Sequence, residues 1–128
     1  MLAIGKNVPR REGPQKLTGA AKYIDDYEFK DCLYGATLRS TIPRGLIRKI
    51  TYDPSVNWKE YVIVSAKDIP GKNYVICGKS DTDQPLLADG RVMHPQEPIV
   101  LIAHPNRQKA YEALKHIHVE YEEQTPVL

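Results

Sequence analysis

Cysteine is scarce in this sequence: two in 128 residues, Cys32 and Cys77, far apart and outside any CxxC pair. That excludes a zinc ribbon and a dithiol redox motif, and it predicts two free thiols, buried or half-buried. Long apolar runs are missing too. No stretch approaches the eighteen or so apolar residues that a membrane-spanning helix needs, and Met1-Leu2-Ala3-Ile4-Gly5-Lys6 lacks the apolar core of a signal peptide; a reducing cytoplasm is the expected setting. There is little charge of either sign in excess. Eighteen Lys and Arg against sixteen Asp and Glu leave a formal charge of +2, which gives no reason to expect a polyanionic partner. Internal repeats and low-complexity segments are absent. Only one Phe and one Trp occur, beside eight Tyr. Tyr combines an apolar ring with a polar tip and suits surfaces half buried against a neighbour; Tyr23, Tyr34 and Tyr74 are expected to be partly exposed.

What is present is one domain's worth of chain, 41% apolar and 27% charged, enough to bury a core without disulfide staples. Ten prolines and eight glycines divide it into short elements. Residues 1–19 read as an irregular basic arm carrying Lys6, Arg10, Arg11 and Lys16, with 20–128 as the folded domain. Ala20–Ile24 reads as a short extended piece ending in the turn Asp25-Asp26, and Arg10 or Lys16 is expected to pair with Asp25 or Asp26. Leu33–Ser40 predicts a strand with Tyr34, Ala36, Leu38 and Ser40 on one face. Leu46–Tyr52 predicts a second, with Leu46, Arg48, Ile50 and Tyr52 sharing a face and Ile47 on the other. Asp53-Pro54 is a helix-start signal, but the helix must be short because Tyr61–Ser65 is a β-branched run. Ser65 or Lys67-Asp68 opens a single turn before Pro70-Gly71. Residues 70–85 form a long loop, with a brief strand at Tyr74–Cys77; loops of that length are often functional.

The last third is the most regular. Ile99–Ala103 is wholly apolar between two prolines and reads as a central strand. Asn106–Lys115, within about 105–116, is the main helix, with Ala110, Ala113, Leu114 and Ile117 at helical spacing. Ile117, Val119 and Tyr121 then alternate with His118, Glu120 and Glu122 as a half-exposed strand. The class is α+β: a mixed sheet of short strands with one main helix packed on it.

The chemistry-bearing residues form weak constellations. His116, His118 and Glu120 could share a strand face, and with His94 they define a small metal-enzyme reading, set against a plain polar edge. Asp25, Asp26, Glu28 and Asp31 gather carboxylates without evident burial to separate their pKa values. No G-x-S-x-G elbow surrounds a serine, and no glycine pattern cradles phosphate. The basic arm has no interleaved aromatics, against nucleic acid binding.

The order of motifs resembles a known family. Arg10, Lys16-Leu17-Thr18-Gly19-Ala20-Ala21-Lys22-Tyr23 and Asp25-Asp26, then Leu33-Tyr34-Gly35-Ala36, Leu38-Arg39-Ser40 and Pro43, then Ala66 with Asp68-Ile69-Pro70-Gly71, Pro85-Leu86-Leu87-Ala88, Val92, Pro98 and Val119-Glu120-Tyr121-Glu122, resemble the start of the large, molybdopterin-binding subunit of the xanthine dehydrogenase and aldehyde oxidase family. The resemblance runs over about 4–128 and implies its N-terminal α/β-hammerhead domain. Two places depart from the pattern: Gln96 stands where the family has glycine before the Gln/Glu-Pro step, and Gly45-Leu46-Ile47 replaces an Ala-basic-Ile stretch.

The resemblance implies a scaffold within an oxidoreductase that hydroxylates a carbon beside nitrogen or oxygen, and it supplies no catalytic, cofactor-binding or metal-ligating residue within this chain. The domain alone is expected to be inactive. The complete enzyme would carry molybdopterin on downstream domains of the same subunit, with Fe–S clusters and flavin (FAD) on partner domains or subunits; neither nucleic acid nor membrane is a partner. Family-motif residues with structural roles are Arg10, Lys16, Thr18, Gly19, Tyr23, Asp26, Gly35, Arg39, Ser40 and Pro98. The loop residues Gly71, Asn73, Tyr74, Val75, Cys77 and Gly78 are the candidate border of the substrate route. A stand-alone, non-catalytic binding module is the competing reading.

Overall fold

A computed structural model describes residues 4–75 and 84–126. The chain divides into two compact units, Met1–Asp31 and Cys32–Leu128. The arm expected over 1–19 falls inside the first unit, and no side chain from Ala20 to Asp31 is buried.

The first unit holds one short helix, α1 (Gly13–Leu17), with Pro14 in its first turn. The Thr18 backbone N–H and hydroxyl both donate to the Pro14 carbonyl, at 3.0 and 2.8 Å, and Gly19 follows at φ +74°, the left-handed stop that glycine takes without strain. Ile24–Asp26 is a 3₁₀ turn, closed by the Tyr23 N–H donating to the Asp26 carboxylate at 2.9 Å. The ion pairs expected between the arm's cations and Asp25 or Asp26 are not formed among the described residues. Arg10 pairs instead with Glu12 at 2.9 Å, two residues away, a partner that costs no chain ordering to reach.

The second unit is α+β, with short strands and one main helix. Its strands fall into two three-stranded sheets, and every strand pairing among the described residues is antiparallel. The single mixed sheet expected from the sequence is therefore divided in two. In the first, β1 (Tyr34–Arg39) and β3 (Val62–Val64) flank β5 (Pro98–His104). The apolar run of β5 is central, as its composition predicts. Register places Ala36, Ile102 and Ile63 in one row across this sheet, and that row faces the core. In the second sheet, β2 (Gly45–Tyr52) lies between β6 (Ile117–Glu123) and the two-residue β4 (Arg91–Val92), which meets only Gly45 and Leu46.

Strand β2 differs from its alternating pattern. Ile47 lies opposite Tyr121 and Lys49 opposite Glu120, so Arg48 is an inserted residue, a bulge. The insertion shifts the phase by one. Ile47 thereby joins Ile50 and Tyr52 against the core, while Arg48 turns outward to an ion pair with Glu122. At the start of β2, a Cβ on Gly45 would sit 2.6 Å from the Glu122 carbonyl oxygen, so only glycine lets the two strands approach there.

Helix α2 (Arg107–Ala113) is capped by the Asn106 side chain, which accepts the Lys109 N–H at 3.1 Å, and it continues as a 3₁₀ turn over Leu114–His116. Ala110 and Ala113 are buried, and their small size lets the helix lie close on the strands. The core gathers Ala36, Val92, Ile99, Val100, Ile102 and Ile117 around them. Asp53-Pro54 opens no α-helix: the Asp53 carboxylate accepts the Ser55 N–H at 2.8 Å in a tight turn, and only Trp58–Glu60 winds further, as 3₁₀. The turn expected near Ser65 is present as Ala66–Asp68, with Asp68 accepting both the Ser65 N–H and hydroxyl. Tyr23 is 62% and Tyr34 48% exposed, and Tyr74 is half-buried, as the tyrosine excess suggested. Cys32 is a free thiol but exposed rather than buried.

Candidate functional site

The motif residues of β1 and those before β5 meet at one corner. At the end of β1, Arg39 Nη1 donates to the Gln96 carbonyl at 2.9 Å. Ser40 exchanges two backbone hydrogen bonds with the opposite loop: its N–H donates to the Glu97 carbonyl at 2.8 Å and its carbonyl accepts the Gln96 N–H at 3.0 Å. The fully buried Ser40 hydroxyl donates to the Ile42 carbonyl at 2.7 Å and accepts the Ile42 N–H at 3.2 Å. Its four polar connections turn the chain out of β1 without a buried polar group left over. Gln96 reaches this geometry at φ +65°, a left-handed conformation in a position where the resembled family has glycine.

Glu97 is the next residue, 1% exposed. A carboxylate so buried requires a donor, and the Met93 N–H supplies one at 2.6 Å, closing the turn between β4 and β5. Pro98 then starts β5 and its carbonyl accepts the Ala88 N–H at 2.7 Å. Beside Glu97 lies a cavity of about 400 Å³ lined by Gln84, Pro85, Met93, His94 and Glu97.

The long loop starts and ends next to this corner. Asn73 works as a two-handed clamp: its amide NH₂ donates to the Leu87 carbonyl at 2.7 Å and its amide oxygen accepts the Leu87 N–H at 3.1 Å. The Val75 N–H donates to the Gln84 carbonyl at 2.9 Å. The two ends of the loop are thus tied together at its base. Gly71 is exposed, and neither Tyr74 nor Val75 is in a strand, so the brief strand expected from Tyr74 does not begin there; Cys77 and Gly78 lie outside the described residues.

The remaining predicted residues are dispersed. Arg10, Lys16, Thr18, Gly19, Tyr23 and Asp26 belong to the first unit, and Lys16 is exposed. Gly35 sits in β1, where a Cβ would meet only Leu101 at an ordinary 3.8 Å. The histidine constellation is not assembled: His116 ends the 3₁₀ turn before β6 and bonds Asp53 at 3.2 Å, His118 is exposed on β6, and His94 bonds the Pro95 carbonyl. Among the described residues no three His, Cys, Asp or Glu side chains converge on a metal position. The Ser55 backbone N–H, then its hydroxyl, then His116 hold the Asp53 carboxyl down at about 2. Burial pushes the Tyr52 phenol up, with the Asp68 charge adding to it.

Sequence reasoning places Arg39, Ser40, Asn73 and Pro98 among the candidates but misses Glu97 and Gln96 as a pair with them. The signal is the departure at Gln96-Glu97-Pro98, where a glutamine stands in place of the glycine of the resembled family and the backbone is left-handed.

Residues 18–125 match the model of the aldehyde oxidase and xanthine dehydrogenase a/b hammerhead domain. The large molybdopterin subunit of nicotinate dehydrogenase from Eubacterium barkeri is 34% identical over 122 residues, which are 94% of this chain and 28% of that protein. A probable xanthine dehydrogenase subunit from Bacillus subtilis (strain 168) is 36% identical over 115 residues, 89% of this chain and 15% of that one. Among solved structures, quinoline 2-oxidoreductase from Pseudomonas putida 86 superposes with a TM-score of 0.83 at 29% identity, covering 97% of this chain and 17% of its own. The chain therefore spans less than a third of the length of these relatives. With its corner of β1, β4 and β5 and its small-faced helix, it belongs to the aldehyde oxidase and xanthine dehydrogenase family, as an α/β hammerhead domain.

Proposed function

We propose that this chain is the first domain of the large subunit of a molybdenum hydroxylase, that it packs on the molybdopterin-binding domains of the same subunit, and that the loop over 71–85 borders the route to the metal. The observation that carries this reading is the match over 18–125 to the hammerhead domain, beside relatives whose aligned segments are only 28% and 15% of their length. In the complete enzyme a molybdenum centre would supply hydroxylation of a carbon beside nitrogen or oxygen, with water as the oxygen source and Fe–S and flavin partners as electron acceptors. No step of the reaction is assigned to the residues of this chain. Their part is to hold a loop in place. The Asn73 clamp fixes where the loop leaves and rejoins the body, so a change in its tip alters the border of a channel without disturbing the core. The free thiol of Cys32 suits a reducing cytoplasm.

Grafting residues 1–128 into a full-length relative, then replacing Tyr74–Gly78 with a Gly/Ser linker while keeping the Asn73 clamp, tests the loop. The expected result is an altered substrate preference and KM with molybdenum content retained. Unchanged KM and preference would remove the loop from the substrate route. The 128-residue chain alone is expected to show no hydroxylase activity.

A further inference from the structure

The first unit carries apolar side chains that it cannot bury. Ile4, Val8, Leu17, Tyr23, Ile24, Tyr27 and Phe29 are exposed, from 53% for Tyr27 to 90% for Ile24. Neither α1 nor the 3₁₀ turn over Ile24–Asp26 has a buried residue. Scattered surface apolars need no explanation, but seven large ones within 26 residues mark a contact surface. The charges are sorted as well. From 4 to 22 there are five basic residues against Glu12; from 23 to 31 there are four acidic residues against Lys30. A standard protein interface takes roughly 20–30 residues from each side, and residues 4–31 fall in that range.

We propose that residues 4–31 are a docking strap for the remaining domains of the same large subunit, in which the seven apolar side chains fill a groove whose charge is acidic toward residues 4–22 and basic toward 23–31. The occupant is argued from length. The relatives align with 94% and 89% of this chain, so most of the strap is matched in them, yet those segments are only 28% and 15% of their length. The rest of each protein is the polypeptide available to cover it. The inference rests on the scaffold reading above and adds to it the element that makes the contact.

Hydrogen exchange on two preparations, the 128-residue chain alone and the assembled large subunit that contains it, is the test. The expected result is fast exchange for the amides of 4–31 in the chain alone and at least 100-fold slower exchange in the subunit. Leu17→Asp with Ile24→Asp, at positions 89% and 90% exposed, should leave the melting of the chain alone unchanged and restore fast exchange in the subunit; losing two buried apolar anchors weakens a contact by roughly tenfold or more each. Slow exchange in the chain alone would show a strap folded onto its own body and overturn the proposal. Fast exchange of 4–31 in the subunit, with slowed exchange elsewhere between 32 and 126, would overturn the strap and leave the scaffold reading standing. No slowing anywhere in the chain on assembly, or no larger subunit, would overturn both.

Discussion

At the scale of single residues, Gln96 holds a backbone conformation that costs an L-residue roughly 1–2 kcal/mol, and its side chain is exposed. Its useful contacts, to Ser40 and Arg39, are made by the backbone. Gln96→Gly should therefore stabilise the chain by about 1 kcal/mol, read as a higher midpoint in urea or heat, less what glycine adds to unfolded-state entropy. Glu97 is the opposite case, a side chain whose one carboxylate serves a backbone donor in the interior. Glu97→Ala should destabilise by about 1–3 kcal/mol because the Met93 N–H loses its acceptor, and Glu97→Gln, which keeps an acceptor, should recover most of that loss. Asp53 makes stability depend on acid. Its folded-state pKa of about 2 lies below the ordinary 3.8, so its contribution is full above about pH 4 and is lost as pH falls toward 2. Urea midpoints measured from pH 6 to 2 should show Asp53→Asn less stable than the parent at pH 6, with the gap closing toward pH 2.

At the scale of elements, the parts legible in the sequence are those whose side chains repeat at a fixed period. The face of β1 with Ala36 and Ser40, the apolar β5 and the small face of α2 each stand out because burial and periodicity coincide. Strand β2 is half legible: its extent is clear, but the bulge at Arg48 adds a residue that no two-residue alternation contains, so Ile47 takes the face opposite to the one that alternation predicts. The turn at Asp53-Pro54 reads as a helix start because a helix cap and a turn cap use the same carboxylate. The residues after it decide between them, and Trp58, whose indole N–H donates to the Asp53 carbonyl at 2.8 Å, pulls the segment into a turn. The clamp at the loop base is not legible, since Asn73 and Leu87 are fourteen residues apart and an amide carries no periodic signal. Asn73→Ala removes both its hydrogen bonds and should cost about 1–2 kcal/mol; its sharper readout is the Leu87 amide, which should exchange at least tenfold faster while amides in β5 stay protected.

At the scale of the whole molecule, the core among the described residues lies in the second unit. Every buried residue of the hydrophobic cluster lies between Ala36 and Ile117. Residues 32–128 without the arm should accordingly unfold in one cooperative transition, with a midpoint within a few degrees of the full chain in heat denaturation; a loss larger than about 10 °C would mean that the arm contributes packing of its own. The family is readable from ordered motifs spread over the chain, whereas the corner that Arg39, Ser40, Gln96 and Glu97 build is not, because its two halves are more than fifty residues apart and joined through backbone groups.

The pairing of β2 with β6 has a kinetic side. Gly45 lies opposite Glu123 and Tyr52 opposite Ile117, and β1 likewise waits for β5. Contacts this distant in sequence make folding slow relative to helical proteins of the same size. A growing chain must pass from Tyr52 to Pro98 before β1 begins to meet β5, and on to Ile117 before β2 meets β6. During that interval β2 exposes the open edge that invites wrong pairing, and the charged bulge at Arg48, placed midway along it, interrupts the flat template that a stray strand would need.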